Sequence, residues 1–250
     1  MAPTRGVRLL LLGSVSAVLL CVAGAAWWMS PGEDLAAWRQ GPPPHAWAAL
    51  ERQEARWREE GMHRRVESRY VPLSEISPDL QVALLVGEDI NYFGHGAVDF
   101  GAVWEAIREG TRVGGRFRGA STISQQLAKT LFLSGERSLW RKAKEARLAW
   151  WMERRLGKRR ILELYLNVVE FGPGYLGVEA AARHYYGVGA AAVGPDRAAG
   201  LAAAIPSPGR DNPATDTPRW RFRQATILRR MAHALWLRGQ LASWSGKARS

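Results

Sequence analysis

The sequence carries one cysteine, Cys21, in 250 residues, so no intramolecular disulfide can staple it. It has few alternating apolar and polar runs and no Asn-Gly hairpin signal, which argues against a β-rich fold. Abundant Ala, Leu, Arg and Glu point instead to a mostly α body. No segment repeats. The chain is also short of acid: 35 Lys and Arg stand against 23 Asp and Glu, a net charge of +12. That excess favours anionic partners such as phosphate-bearing ligands, lipid headgroups or nucleic acid. With 47% apolar and 23% charged residues the composition is that of a globular protein with a sizeable core.

What is present begins with Leu9 to Trp28, an apolar run interrupted only by serines and small glycines. Its length as a helix is about 30 Å, one hydrocarbon core. Arg5 and Arg8 precede it while Glu33 and Asp34 follow, which sets the N-terminus in the cytoplasm and everything after Trp28 across the membrane. Trp27 and Trp28 then sit at the outer interface. A cleaved signal peptide is the rival reading, with Ala23-Gly24-Ala25 as its processing site. Either way the body is exported, away from cytoplasmic nucleotides, and nucleic acid drops out as a partner.

Ser30 to Pro44 is rich in Pro and Gly and reads as a juxtamembrane linker, followed by a helix over His45 to Gly61. Further helices are expected over Leu80–Val86, Thr122–Leu131, Ser138–Leu156, Lys158–Asn167, Val178–Tyr186 and Arg197–Ile205, with one basic helix from Thr217 to Leu241. The expected organisation is an anchor over residues 1–29, a linker and helix over 30–60, a catalytic domain over 61–241 and a tail over 242–250.

Three stretches carry candidate chemistry. In "EDINYFGHGAVD", Glu88 and Asp89 follow the apolar "VALLVG", which puts the first carboxylate at the mouth of a low-dielectric pocket. Burial there raises its pKa and makes it a usable base; a salt-bridged helix-end pair is the alternative. His95 reads as a structural hydrogen-bonding residue. In "GASTISQQLAKTLFL", Ser121, Thr122, Ser124, Gln125 and Gln126 crowd a helix start, where unpaired backbone N–H groups favour an anion, and Lys129 follows one turn later. Capping accounts for Ser121 or Thr122 but not for two glutamines and a lysine. From Arg137 to Arg160 there are ten Lys and Arg but only two acids, Glu145 and Glu153. Glu145 shares a face with Ala149 and Met152 and so points inward, with Arg141 and Lys142 one turn before it. An inward carboxylate among cations suits a site that handles a pyrophosphate.

Together these stretches resemble the peptidoglycan glycosyltransferase family, whose lysozyme-like domain polymerises lipid II. The resemblance runs from Leu80 to Pro213 in five blocks. They are Glu88-Asp89 with Tyr92, His95 and Asp99; "GASTISQQLAKTLFL"; Arg137-Ser138 with Arg141-Lys142 and Glu145; "ILELYLNVVEFGPGYLGVEAAARHYYG"; and "AGLAAAIPSPGRDNP". Ala97, Thr130 and Arg197 stand where the family usually has Gly, Asn and an acid, the last leaving packing around the fifth block in question.

The resemblance implies a mostly α, lysozyme-like glycosyltransferase domain preceded by one N-terminal transmembrane helix in the bacterial cytoplasmic membrane, with the catalytic domain outside. It implies Glu88 as general base on the acceptor sugar's 4-hydroxyl, which displaces undecaprenyl pyrophosphate with inversion. Lys129, Arg137, Arg141 and Lys142 meet the leaving group's charge, Glu145 orients them, and Ser121, Gln125 and Gln126 line the groove. It requires no cofactor, leaving open a divalent cation (Mg or Mn) near the pyrophosphate, with no protein metal site. The partners it implies are lipid II, the lipid-linked growing glycan and the membrane, with cell-division or elongation proteins as further candidates.

Phe100 to Phe117, apolar residues among arginines, is expected to dip into the membrane at the lipid entrance or to form a solvated helix and loop. The terminal arginines either touch headgroups or face water. No S-x-x-K or K-T-G occurs, which excludes a fused transpeptidase in these residues and reads as a monofunctional polymerase. A membrane-anchored lytic transglycosylase or muramidase, and an inactive glycan-binding scaffold, are the competing functions.

Overall fold

The computed structural model describes residues 35–41, 66–112, 121–133 and 138–246, together with residue 19, residues 22–28 and scattered positions between 51 and 61. The chain divides into two units, Met1–Asp34 and Leu35–Ser250. In the first, residues 22–28 are helical and the Trp27 and Trp28 rings meet edge to face at 6.4 Å. Most of the Leu9–Trp28 run, Cys21 included, and most of His45–Gly61 lie outside the described residues. Among the described residues no helix is long and apolar enough to cross a membrane.

The second unit is built on helix α1, Pro78–Glu88. Ser77 caps it, its hydroxyl accepting from Leu80 N at 3.1 Å, and Pro78 supplies a preset φ at the first position. Every residue from Leu80 to Val86 is buried, so α1 is a core helix without a wet face. Around it lie α2 (Phe100–Arg112), α3 (Ile123–Phe132), α4 (Leu139–Val168), α5 (Val178–Tyr186), α6 (Pro195–Ala204), α7 (Pro218–His233) and α8 (Leu235–Gly246). α6 and α7 pack on α1, while α3 lies against α4.

Several expectations hold closely and some need correction. The two helices expected on either side of Gly157 are present as the halves of α4, and Gly157 breaks the line with φ +75°. The single terminal helix is instead two. Buried Ala234 leaves helical geometry (φ −105°, ψ 35°), and the turn lets Leu237 and Leu241 join the core. A small sheet escaped the sequence reading, with strands β1 (Glu67–Ser68), β2 (Glu170–Gly172) and β3 (Tyr175–Leu176) in the order β1-β3-β2. β3 pairs parallel with β1, Glu67 opposite Tyr175, and antiparallel with β2, Glu170 opposite Leu176. Strands of two or three residues are too short to show an alternating pattern.

The segment read as a linker also packs at one point. Leu35 and Trp38 are buried in the core of the second unit, with Trp38 against Phe132 at 4.9 Å between ring centroids. The cause is Arg160 on α4, whose guanidinium donates to Trp38 O at 2.8 Å and to Gly41 O, and also pairs with Glu163. Glu163 in turn accepts from Tyr70 Oη at 2.6 Å and Leu73 N at 2.8 Å, and Asn167 satisfies both backbone groups of Val71. Buried polar side chains on one helix thus supply the partners that an irregular segment cannot supply for itself.

Gly177, between β3 and α5, has φ +82°, and a Cβ there would meet Asn167 O at 2.5 Å. Gly177→Ala should therefore cost about 1 to 3 kcal/mol in backbone strain alone, with the collision added. Thermal melting checks this against Gly209→Ala, a position with open space around it that should melt close to wild type.

Candidate active site

Glu88 is the last residue of α1, where the buried helix meets the surface. Its side chain is 11% exposed. Burial pushes its pKa up from the ordinary glutamate value, while Gln126 and Arg223 pull in the opposite direction. Gln126 Nε2 donates to Glu88 Oε2 at 3.0 Å, and Arg223 donates to Glu88 Oε1 at 2.7 Å and to Gly87 O at 3.0 Å. The buried Tyr165 hydroxyl donates to Gln126 Oε1 at 2.8 Å, which fixes the amide so that its NH₂ faces the carboxylate. Each carboxylate oxygen therefore has one donor, one neutral from α3 and one charged from α7.

Asp89 points elsewhere. Its Oδ1 meets His95 Nε2 at 2.6 Å and its Oδ2 accepts from Ile123 N at 3.0 Å, at the start of α3. His95 Nδ1 lies 2.6 Å from Gly96 O, so both ring nitrogens face acceptors, which suits the imidazolium form; Asp89 is the main cause of its raised pKa. The two adjacent acids thus divide their work, one at the mouth of the site and one tying the loop to α3. The expectation of a structural His95 is met.

The second cluster sits at the start of α4, where Ser138 caps the helix by accepting from Arg141 N at 3.0 Å. Glu145 is buried as expected. Arg141 Nη1 donates to its Oε2 at 2.7 Å and Lys142 Nζ to its Oε1. Lys142 also donates to Ser121 Oγ at 2.7 Å, joining this cluster to the entrance of α3. Two cations on one carboxylate leave a net positive charge, and Lys142 remains 42% exposed along its side chain. Each Glu145 oxygen thus has one cationic donor, Arg141 on Oε2 and Lys142 on Oε1.

The family of the chain follows from comparison with known proteins. The transglycosylase family model matches residues 55–232, well over half of the chain. The chain belongs to the transglycosylase family. It is similar to the biosynthetic peptidoglycan transglycosylase of Nitrosospira multiformis, 44% identical over 177 residues covering 71% of this chain and 77% of the relative. It is also similar to the protein of that name from Bordetella pertussis, 41% identical over 224 residues, covering 87% of this chain and 91% of the relative.

Within this transglycosylase domain the expected site residues separate into groups. Glu88 and Gln126 are in direct contact, as are Ser121, Arg141, Lys142 and Glu145. Lys129 is exposed on α3, one turn beyond Gln126. Arg137 lies outside the described residues. Gln125 requires correction: it is buried and forms a capping box, its Oε1 accepting from Thr122 N while Thr122 Oγ1 accepts from its own N–H, both at 3.2 Å. Its side chain serves as a helix cap. Ser124 is likewise turned inward, donating to Glu153 at 2.6 Å. Arg197 keeps its place by lying over the Tyr186 ring at 5.4 Å, so the fifth block packs despite its missing acid.

Sequence reasoning missed Arg223, left undecided among terminal arginines. The signal was present: 223 lies on one helical stripe with buried Trp220, Ile227 and Met231, and an arginine in an apolar stripe demands a buried partner. The family match, reaching residue 232, takes Arg223 in.

A histidine whose folded pKa is raised stabilises the fold fully below its unfolded value of about 6.5, and that contribution fades as pH rises through the folded value. The stability gap between wild type and His95→Gln should accordingly be widest on the acid side of pH 6.5 and narrow above it. Melting curves across that range check this; a gap independent of pH would contradict the imidazolium pairing.

Proposed function

We propose that this transglycosylase polymerises glycan strands for the cell wall, with Glu88 as general base. Glu88 takes the proton from the 4-hydroxyl of lipid II, that oxygen bonds to the anomeric carbon of the lipid-linked glycan, and the bond from that carbon to undecaprenyl pyrophosphate breaks with inversion. The departing pyrophosphate meets Arg141 and Lys142, with Lys129 and Arg137 as further cations. In this reading protein cations meet the leaving group's charge and no cofactor is needed. The observation that carries the proposal is the raised pKa of a buried carboxylate held by one neutral and one charged donor. The names of the relatives support the biosynthetic direction. The Arg141–Glu145–Lys142 cluster favours it over a lytic enzyme, which needs an acid on the glycosidic oxygen more than cations.

The Leu9–Trp28 run serves in this proposal as a single-pass anchor in the bacterial cytoplasmic membrane, with the catalytic unit outside. Phe100 and Trp104 on α2, 77% and 67% exposed, support a lipid-facing entrance there. N-terminal sequencing of membrane-extracted protein should find the run intact, and a mature start near Ala26 would rule the anchor out.

Glu88→Gln should retain its fold and lower strand synthesis from lipid II by roughly 100- to 10,000-fold. Near wild-type synthesis by a stable variant would place the base elsewhere. Arg223→Gln should raise the Glu88 pKa further, moving the acid limb of kcat/KM to higher pH.

A further inference from the structure

Trp38 is buried to 1% exposure although it belongs to a single 3₁₀ turn, Ala36–Trp38. Its carbonyl accepts from Arg160 Nε on α4 at 2.8 Å, and its ring lies 4.9 Å from that of Phe132. Phe132 is the last residue of α3, so the strap Leu35–Gly41 joins α4 to the far end of the helix that carries much of the site. α3 has ten residues, fewer than the dozen or so at which a helix holds by itself in water. Its start is locked by the Thr122–Gln125 box and by Asp89. Its last turn, Lys129–Phe132, ends without a glycine: Leu133 is extended (φ −119°, ψ 148°), and its N–H closes on Lys129 O at 3.2 Å. That turn stays wound through what its apolar side chains meet, Leu131 in the core and Phe132 against Trp38. Lys129 opens the same turn, exposed and with no carboxylate partner among the described residues.

We propose that Trp38 is a positioning residue for the leaving group: through Phe132 it keeps the last turn of α3 wound, and so holds the Lys129 ammonium where it meets the departing pyrophosphate. The assignment rests on the polymerase reading above, in which Lys129 is one of the leaving-group cations. A lysine carries its charge at the end of a flexible four-carbon stem, so the place of that charge is set by the backbone that bears it. Fraying of the turn would free the backbone of Lys129 and spread its ammonium over many positions. Arg160 supplies the fixed end of the device, because its buried guanidinium ties the strap at Trp38 O and Gly41 O while pairing with Glu163 on its own helix. The strap thus works as part of the catalytic unit, and it acts through α3 without touching substrate.

The test uses the full chain in neutral detergent, well below its melting temperature, with geranylgeranyl pyrophosphate as the probe and direct binding as the readout. Trp38→Ala should weaken probe binding by roughly three- to tenfold and speed amide hydrogen exchange at Phe132 and Leu133, while the start of α3 stays protected. Trp38→Phe, which keeps a ring against Phe132, should restore both. In a Lys129→Gln background Trp38→Ala should weaken binding no further, because the lysine through which it acts is gone. Additive losses in that double variant would overturn the proposal, as would unchanged probe binding in Trp38→Ala. Gly177→Ala, strained at a position remote in sequence from α3, controls for lost stability and should bind the probe as wild type does. An equal loss there would reduce the role of Trp38 to general stability and overturn the proposal too. Strand synthesis from lipid II is measured in parallel. A wild-type protein that shows the Trp38–Lys129 coupling but makes no strands would refute the polymerase reading and leave the positioning role decided by the binding arm.

Discussion

Glu88 is an ionisable group at the end of a helix with no exposed side, and most of the site can be traced to the cost of that placement. A carboxylate there loses water, and it sits at the carbonyl end of α1, where the helix dipole also disfavours negative charge. Arg223 answers both problems at once by donating to the Gly87 carbonyl and to Glu88. Gln126 adds a neutral donor, itself oriented by Tyr165. The balance leaves burial dominant and the pKa raised, the condition a base needs if it is to hold a proton in mid-reaction and release it afterwards.

α3 carries the demands of both clusters. Its entrance is held by the Thr122–Gln125 box, by Thr122 Oγ1 donating to Ala97 O at 2.7 Å, and by Asp89 accepting from Ile123 N. Those contacts fix the helix in register, so that Gln126 faces Glu88 while Ser121 faces Lys142. The crowd of hydroxyls and amides in "GASTISQQLAKTLFL" therefore divides into residues that set the helix and residues that face the chemistry. Leu127 and Leu131 behind them are buried and bind α3 to the core.

That division marks the limit of what the sequence makes legible. Glu88 and Glu145 could be read because each breaks a local pattern, one following an apolar run and the other lying on an apolar face among cations. Gln125 and Gln126 could not be told apart, since adjacent amides have the same chemistry and only the cap geometry separates them. Arg223 could be placed on the inward stripe of α7 with Trp220, Ile227 and Met231, but its partners Gly87 and Glu88 lie more than a hundred positions away and leave no local trace. The break at Ala234 has no Gly or Pro to announce it. The burial of Leu35 and Trp38 depends on Arg160, more than a hundred positions away, and long-range polar pairing leaves no local trace.

The two carboxylates solve opposite electrostatic problems, and their partners differ accordingly. Glu145 receives two cations, one per oxygen, so its cluster presents net positive charge to whatever approaches Lys142. Glu88 receives one cation and one amide, a pairing that leaves the charge of the group close to balance and its protonation sensitive to what binds beside it. A second full charge in place of Gln126 would hold Glu88 ionised and weaken it as a base, whereas loss of Arg223 would leave it too easily protonated. In the proposed function, this asymmetry between a neutral donor from α3 and a charged donor from α7 is what suits a single buried carboxylate to act as the base.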